Sequence, residues 1–221
     1  MGEIVSFDCK EGRRAKGYLA KAEAPKGAVI VLQEWWGLND QIKGVADRFA
    51  AAGFTALSPD LYDGRVTQDA DEAEHLMTGL DWVGATDVDV RGALKFLKKD
   101  HGKVAVMGFC MGGALTVIAG VKLEDCDAAV CYYGIPPKEA ADPASMRVPF
   151  QGHFASKDEW CSPAAAVQLA EDLKASGVDH EMHSYEGCDH AFFNQERPEV
   201  YDADASQLSW ERTLEFLNKH L

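Results

Sequence analysis

Short apolar runs alternate with amphipathic stretches along most of the chain. Four runs are short and apolar enough to be buried strands, namely 28–32, 55–58, 103–107 and 128–133. Two further strands are expected at 148–154 and 181–185. Strands separated by helical patterns indicate a mostly parallel sheet with helices on both faces. The pattern therefore predicts an α/β fold, and residues 1–221 contain no linker or repeat, so one domain is expected.

Helices are predicted where apolar residues recur on one face between cap residues. One runs from Asp40 to Gly53, one begins after Thr86 as its N-cap, and one follows Ser162 and ends at Gly177. The last helix carries an apolar stripe of Trp210, Leu214, Leu217 and Leu221. The polar stretch 64–85 predicts a loop with a short helix near 72–77.

A glycine-rich segment, Gly108-Phe109-Cys110-Met111-Gly112, joins the strand at 103–107 to an apolar helix. It matches the G-x-S-x-G strand–turn–helix elbow of α/β-hydrolases, with cysteine in place of serine. A turn this sharp tolerates no bulky Cβ at its glycines, and the helix start favours a thiolate before any substrate arrives. Cys110 is therefore predicted to be a nucleophile, with a buried structural thiol as the alternative.

A cysteine nucleophile needs a histidine to take its proton and an anion to orient the imidazole. Asp158 and His190 each follow a predicted strand at the same sheet edge as Cys110. Their order along the chain is the nucleophile, acid, histidine order of α/β-hydrolases. Either residue alone would more often be an ordinary polar loop residue. The combination predicts a Cys110, Asp158 and His190 triad.

Composition excludes several classes of protein. The formal net charge of −14 argues against a nucleic-acid partner, which requires a basic face. No apolar run approaches the ~20 residues of a membrane helix, and no secretory signal is visible, so a cytoplasmic location without a membrane partner is expected. The six cysteines form no C-x-x-C pair, which argues against a zinc site and fits reduced thiols. We expect a monomer without metal or cofactor.

Four segments together resemble the dienelactone hydrolase family and extend over nearly the whole chain: Gln33-Glu34-Trp35-Trp36-Gly37, Gly108-Phe109-Cys110-Met111-Gly112-Gly113, Tyr132-Tyr133-Gly134 and Asp189-His190-Ala191-Phe192. That family has the α/β-hydrolase fold and a Cys-His-Asp triad. The resemblance implies these roles for Cys110, His190 and Asp158. It also implies that Glu34 contacts the resting thiol. The backbone N–H groups of Trp35 and Met111 are then expected to form the oxyanion hole.

The sequence departs from this family where a substrate carboxylate is held. In the best-known members one arginine lies four residues beyond the catalytic histidine, and here that residue is Asn194. The stretch 66–90, where a second arginine is expected, contains none. Arg65 and Arg197 are interpreted as surface charges. Three aromatic residues are predicted to line an apolar substrate pocket: Trp36, Tyr133 and Phe192.

These features favour a hydrolase that cleaves a lactone or small carboxylic ester through a thioester acyl-enzyme, which water then hydrolyses with His190 as base. Its partner would be a small ester or lactone. Two alternatives stay open. One keeps the fold but takes a thioester or another activated acyl substrate. The other is a ligand-sensing protein with negligible turnover.

Overall fold

The computed structural model describes residues 1–221, apart from the side chain of residue 11. The described residues form an eight-stranded sheet of β1 (Glu3–Asp8), β2 (Arg14–Ala20), β3 (Gly27–Leu32), β4 (Phe54–Pro59), β5 (Val104–Phe109), β6 (Ala128–Tyr132), β7 (Phe150–Ala155) and β8 (His180–Tyr185). Across the sheet the order is β1-β2-β4-β3-β5-β6-β7-β8. β2 is antiparallel to both β1 and β4, and the other pairs are parallel. The predicted mostly parallel sheet is confirmed.

Helices cover both faces of this sheet, as predicted. They are α1 (Asp40–Ala51), α2 (Ala70–Thr78), α3 (Trp82–Gly84), α4 (Arg91–Leu97), α5 (Met111–Lys122), α6 (Pro163–Ser176) and α7 (Ala203–His220). Ile30 and Leu32 of β3 pack into one hydrophobic core with α4, α5 and α6. Val29 and Val31 pack into a second core with α1 and α7. Every residue of β3 is buried because both faces are covered.

The β1–β2 hairpin lies outside the sequence-based prediction. β1 is an edge strand, and among its residues only Phe7 is buried. An exposed edge strand lacks the apolar run that marks an internal strand. Its place in the sheet comes from pairing with β2.

The helix predicted to begin after Thr86 begins earlier. Asp81 is the N-cap of α3, and its carboxylate accepts a hydrogen bond from the Gly84 N–H at 3.0 Å. A π-helical segment, Ala85–Val90, joins α3 to α4. Thr86 lies inside it and donates its hydroxyl to the Trp82 carbonyl at 3.0 Å. The Thr86 cap prediction was wrong because this hydroxyl satisfies a carbonyl within the helix instead of a free N–H at its start.

The parallel strands bring three loops to one edge of the sheet. Cys110 follows β5, Asp158 lies three residues after the end of β7, and His190 lies in the turn that follows β8. Because the carboxyl ends of parallel strands share an edge, these residues meet despite their separation in the chain. Within the described part of the chain, no helix is both long enough and apolar enough to cross a membrane.

Candidate active site

The turn between β5 and α5 holds Cys110 in a strained backbone conformation. Its φ is 53° and its ψ is −114°, which is costly for a residue with a side chain. A Cβ on Gly108 would collide with the Gly112 carbonyl, and one on Gly112 would collide with the end of β3. Glycine at both positions therefore lets β3, β5 and α5 approach closely enough to make the elbow. The Cys110 N–H donates to the Tyr132 carbonyl at 3.0 Å and holds the turn in place.

Asp158 and His190 form a hydrogen-bonded pair in which the carboxylate is buried and the imidazole is half-buried. His190 Nδ1 lies 2.7 Å from Asp158 Oδ2. The other oxygen, Asp158 Oδ1, accepts the backbone N–H groups of Trp160 and Cys161, each at 2.8 Å. Burial alone would raise the pKa of Asp158, but the hydrogen bond and charge of His190 and the two N–H donors outweigh it and lower the pKa. Asp158 is thus an anion that orients the imidazole.

Glu34 is a buried carboxylate beside the elbow. Its Oε1 accepts the Tyr133 hydroxyl at 3.1 Å, and its Oε2 accepts Asn194 Nδ2 at 2.6 Å. Burial raises the pKa of Glu34, and the Asn194 hydrogen bond and the charge of His190 oppose that rise. The resemblance implied a contact between Glu34 and the resting thiol. In the described residues the hydrogen bonds of this carboxylate go to Tyr133 and Asn194, and it acts on Cys110 through its charge.

The Cys110 thiol is protonated at rest. Burial raises its pKa well above the ordinary value, and the negative charge of Glu34 raises it further. The N–H of Met111, at the start of α5, opposes this shift but does not reverse it. The expectation that the helix start favours a thiolate before substrate arrives was therefore wrong. Attack by Cys110 requires a base to remove its proton.

A cavity of about 190 Å³ opens onto the thiol. Its lining is mainly apolar and consists of Glu34, Trp35, Trp36, Met77, Cys110, Trp160, His190, Ala191 and Arg197. The expected oxyanion-hole residues flank it, with Trp35 on its wall and Met111 at the start of α5. Trp36 lines it as predicted, but Tyr133 and Phe192 are fully buried behind the wall.

Trp160 and Met77 belong to this cavity although the sequence did not mark them. Trp160 is 70 % exposed, and its ring lies 5.9 Å from the Trp35 ring and 6.3 Å from the His190 ring. An exposed tryptophan beside the Asp158–His190 pair is available to a ligand. The signal in the sequence is its place two residues after Asp158, in the same loop. Met77 comes from α2, which the sequence pattern placed in a mostly polar stretch.

Comparisons with known proteins identify the family of this chain. The profile of the dienelactone hydrolase family matches residues 15–221. The chain belongs to the dienelactone hydrolase family. It is 36 % identical to protein usf of Aquifex pyrophilus, with 100 % of both chains covered. It is 28 % identical to carboxymethylenebutenolidase 1 of Cupriavidus pinatubonensis, covering 98 % of this chain and 97 % of that one. Membership in this family makes the protein a hydrolase of the ester and lactone class.

A solved structure shares the whole fold. It is a dienelactone hydrolase-like promiscuous phosphotriesterase from metagenomic libraries, with a TM-score of 0.85 and 23 % identity. The alignment covers 99 % of this chain and 98 % of that chain. At this level of identity the likeness concerns the fold alone, and it confirms the predicted α/β-hydrolase architecture.

Arg65 and Arg197, both interpreted as surface charges, line different cavities of this dienelactone hydrolase family member. Arg65 lines a separate cavity of about 330 Å³ and donates its Nε to the Tyr62 carbonyl at 3.2 Å. Arg197 instead lines the cavity above Cys110, with its guanidinium 5.8 Å from the Trp36 ring. Its Nε donates to Glu199 at 2.8 Å. Arg197 is therefore a cation of the candidate active site.

Cys161 lies beside Asp158 and His190. The ligand atoms of Asp158, Cys161 and His190 all lie within 4.8 Å of one another, which is close enough for a metal ion. Each of them has a hydrogen-bond partner, since Asp158 pairs with His190 and the Cys161 thiol donates to the Tyr133 carbonyl at 3.3 Å. Burial raises the pKa of Cys161 to about 12, so this thiol is protonated at neutral pH.

Proposed function

We propose that the protein hydrolyses a lactone or small carboxylic ester through a thioester acyl-enzyme on Cys110. The observation that carries the proposal is the 2.7 Å hydrogen bond between His190 Nδ1 and Asp158 Oδ2, on the same cavity as the elbow cysteine. With Nδ1 bonded to an anion, His190 presents Nε2 as the basic nitrogen. A protonated thiol beside such an imidazole is a nucleophile that is activated by proton transfer.

Acylation begins when His190 Nε2 accepts the proton of Cys110. The sulfur attacks the substrate carbonyl carbon, and the backbone N–H groups of Trp35 and Met111 stabilise the oxyanion. The carbon–oxygen bond of the ester then breaks, and His190 returns the proton to the departing alkoxide. In a lactone the released alcohol stays attached to the acyl group, so one product leaves.

Deacylation uses the same imidazole. His190 removes a proton from water, and the hydroxide attacks the thioester carbonyl in the same oxyanion hole. The carbon–sulfur bond breaks, and the thiolate takes the proton back from His190. The high pKa of the buried thiol favours this final protonation.

The test is a panel of p-nitrophenyl acetate, neutral lactones and acyl thioesters assayed against the wild type and Cys110→Ala. We expect turnover of esters or lactones and a loss of about 10³-fold or more in Cys110→Ala, as for other nucleophile deletions. Trapping the labelled acyl group on the Cys110 peptide identifies the intermediate. Full activity of Cys110→Ala contradicts the proposal, and tight binding of a lactone with negligible turnover favours the ligand-sensing alternative.

A further inference from the structure

Asn194 connects the turn after His190 to the buried end of β3. Its side chain is 1 % exposed, and its Nδ2 donates to Glu34 Oε2 at 2.6 Å. Its Oδ1 accepts the backbone N–H of Glu196 at 2.9 Å. The second bond fixes the orientation of the amide, because a backbone N–H can only donate. The NH₂ group of Asn194 must therefore face Glu34.

The Glu34 carboxylate is held by donors that carry no charge. The Tyr133 hydroxyl donates to one oxygen and Asn194 to the other. Arg197 faces Glu34 from the cavity, but its Nε is paired with Glu199. A buried carboxylate without a paired cation keeps its charge only while N–H and O–H groups donate to it. Removal of either donor shifts Glu34 toward the neutral acid.

The charge on Glu34 acts on the nucleophile. Glu34 and Cys110 line the same cavity, in which Glu34 is buried and Cys110 is half-buried. The other titratable or charged groups that face the thiol or its cavity come from several elements and are Tyr62, Tyr133, Asp158, Cys161, His190 and Arg197. A negative charge beside a buried thiol disfavours the thiolate.

We propose that Asn194 is a positioning residue that fixes the Glu34 carboxylate in the cavity and thereby sets how readily Cys110 gives up its proton. The proposal rests on the proposed function, since it takes Cys110 as the nucleophile. An arginine at position 194 would cancel the charge of Glu34. The neutral amide of Asn194 leaves that charge in place, so that Cys110 is kept as a thiol. A thiol is far less reactive than a thiolate toward oxidants and alkylating agents.

The test measures the rate of Cys110 alkylation by iodoacetamide as a function of pH, with peptide mass spectrometry to identify the labelled cysteine. The proteins are the wild type, Asn194→Leu, Glu34→Gln and the double variant. Glu34→Gln removes the charge, so its alkylation midpoint should move to lower pH. Asn194→Leu should move it in the same direction and raise the rate at neutral pH by about threefold or more. In the Glu34→Gln background Asn194→Leu should add nothing.

Two further variants sharpen the test. Tyr133→Phe removes the other hydrogen-bond donor to Glu34 and should also move the midpoint of Cys110 alkylation to lower pH. If Asn194→Leu does not fold, the result for Tyr133→Phe decides the test. Gln195→Leu, at an exposed position in the same turn, should keep the wild-type profile.

The proposal is overturned if Asn194→Leu alkylates with the wild-type pH dependence. It is also overturned if Asn194→Leu shifts the alkylation midpoint equally in the wild-type and the Glu34→Gln backgrounds. Alkylation needs no substrate, so these outcomes do not depend on which ester is cleaved. Failure of the proposed function would appear separately, as full turnover by Cys110→Ala.

Discussion

At the scale of single residues, the proposed mechanism makes Asp158 and His190 act as one unit. Asp158 orients the imidazole through the 2.7 Å hydrogen bond, and that bond in turn keeps the pKa of the buried carboxyl low. We expect Asp158→Asn to lose about 10³-fold or more in kcat/KM with an unchanged fold, because the tautomer of His190 is no longer fixed. Combining it with His190→Ala should lower the rate scarcely further. Losses that multiply in the double variant would show that one of the two residues is misassigned.

The buried charge of Glu34 lowers the stability of the folded protein. Burial raises its pKa in the folded protein. The folded state then binds this proton more tightly than the unfolded chain does, so the free energy of unfolding falls as pH rises from the unfolded pKa through the folded pKa. Above that window, Glu34→Gln should raise Tm by about 2 °C or more. Melting curves at acidic and neutral pH check this, since the gain should vanish below the unfolded pKa. An equal gain at both pH values would disagree with a buried charge.

At the scale of elements, the loop after β7 supplies both Asp158, the proposed acid of the triad, and an exposed tryptophan. Trp160 packs edge-on against Trp35 at the rim of the cavity, where it can contact an apolar part of the substrate. Trp160→Ala should raise KM for aryl esters about fivefold or more and change kcat much less. The lost contact is made equally in the bound substrate and in the transition state. Val167→Ala, which removes an exposed apolar side chain on α6, is the control. Equal KM values for wild type and Trp160→Ala would place the substrate elsewhere.

Elements with a strong local signal could be predicted from the sequence, and elements defined by tertiary pairing could not. Strands β3 to β7 were visible because both of their faces are buried and their sequences form mostly apolar runs. β1 was not visible, because it is an exposed edge strand that gains its order from β2. The elbow and the strand-end positions of Asp158 and His190 follow from turn chemistry and topology, so the sequence brought these groups together.

The site residues that escaped prediction are those whose role depends on an orientation in space. In the sequence, Asn194 is notable only as the place where the best-known members of the family have an arginine. Its hydrogen bond to Glu34 depends on the direction of an amide that the Glu196 N–H fixes. Arg197 was interpreted as a surface charge because sequence spacing does not show that the turn folds over Trp36. The resting state of Cys110 was wrongly expected because burial outweighs the helix start. The oxyanion-hole roles of Trp35 and Met111 stay predictions.

At the scale of the whole molecule, the net charge of −14 opposes the approach of anions, and Arg197 is the cation of the cavity that counters it. Since Arg197 is paired with Glu199 and faces Glu34, we expect a neutral lactone to have a kcat/KM at least equal to that of its carboxylate-bearing analogue at low salt. Added salt should help the anion more by screening repulsion. A strong preference for the anion that disappears in Arg197→Ala would show that this arginine binds substrate carboxylates.

Under the proposed mechanism, the distribution of Cys110, Asp158 and His190 over three strand ends also determines when the enzyme can first act during synthesis. Cys110 emerges from the ribosome well before Asp158, and His190 emerges last. β8, which places His190, pairs only with β7, and α7 covers the neighbouring β6 and β7 from the C-terminal end of the chain. Nascent chains that end before residue 190 therefore carry the nucleophile without its base. Since an unassisted thiol in this position attacks esters slowly, hydrolytic competence arises only as the last part of the sheet closes.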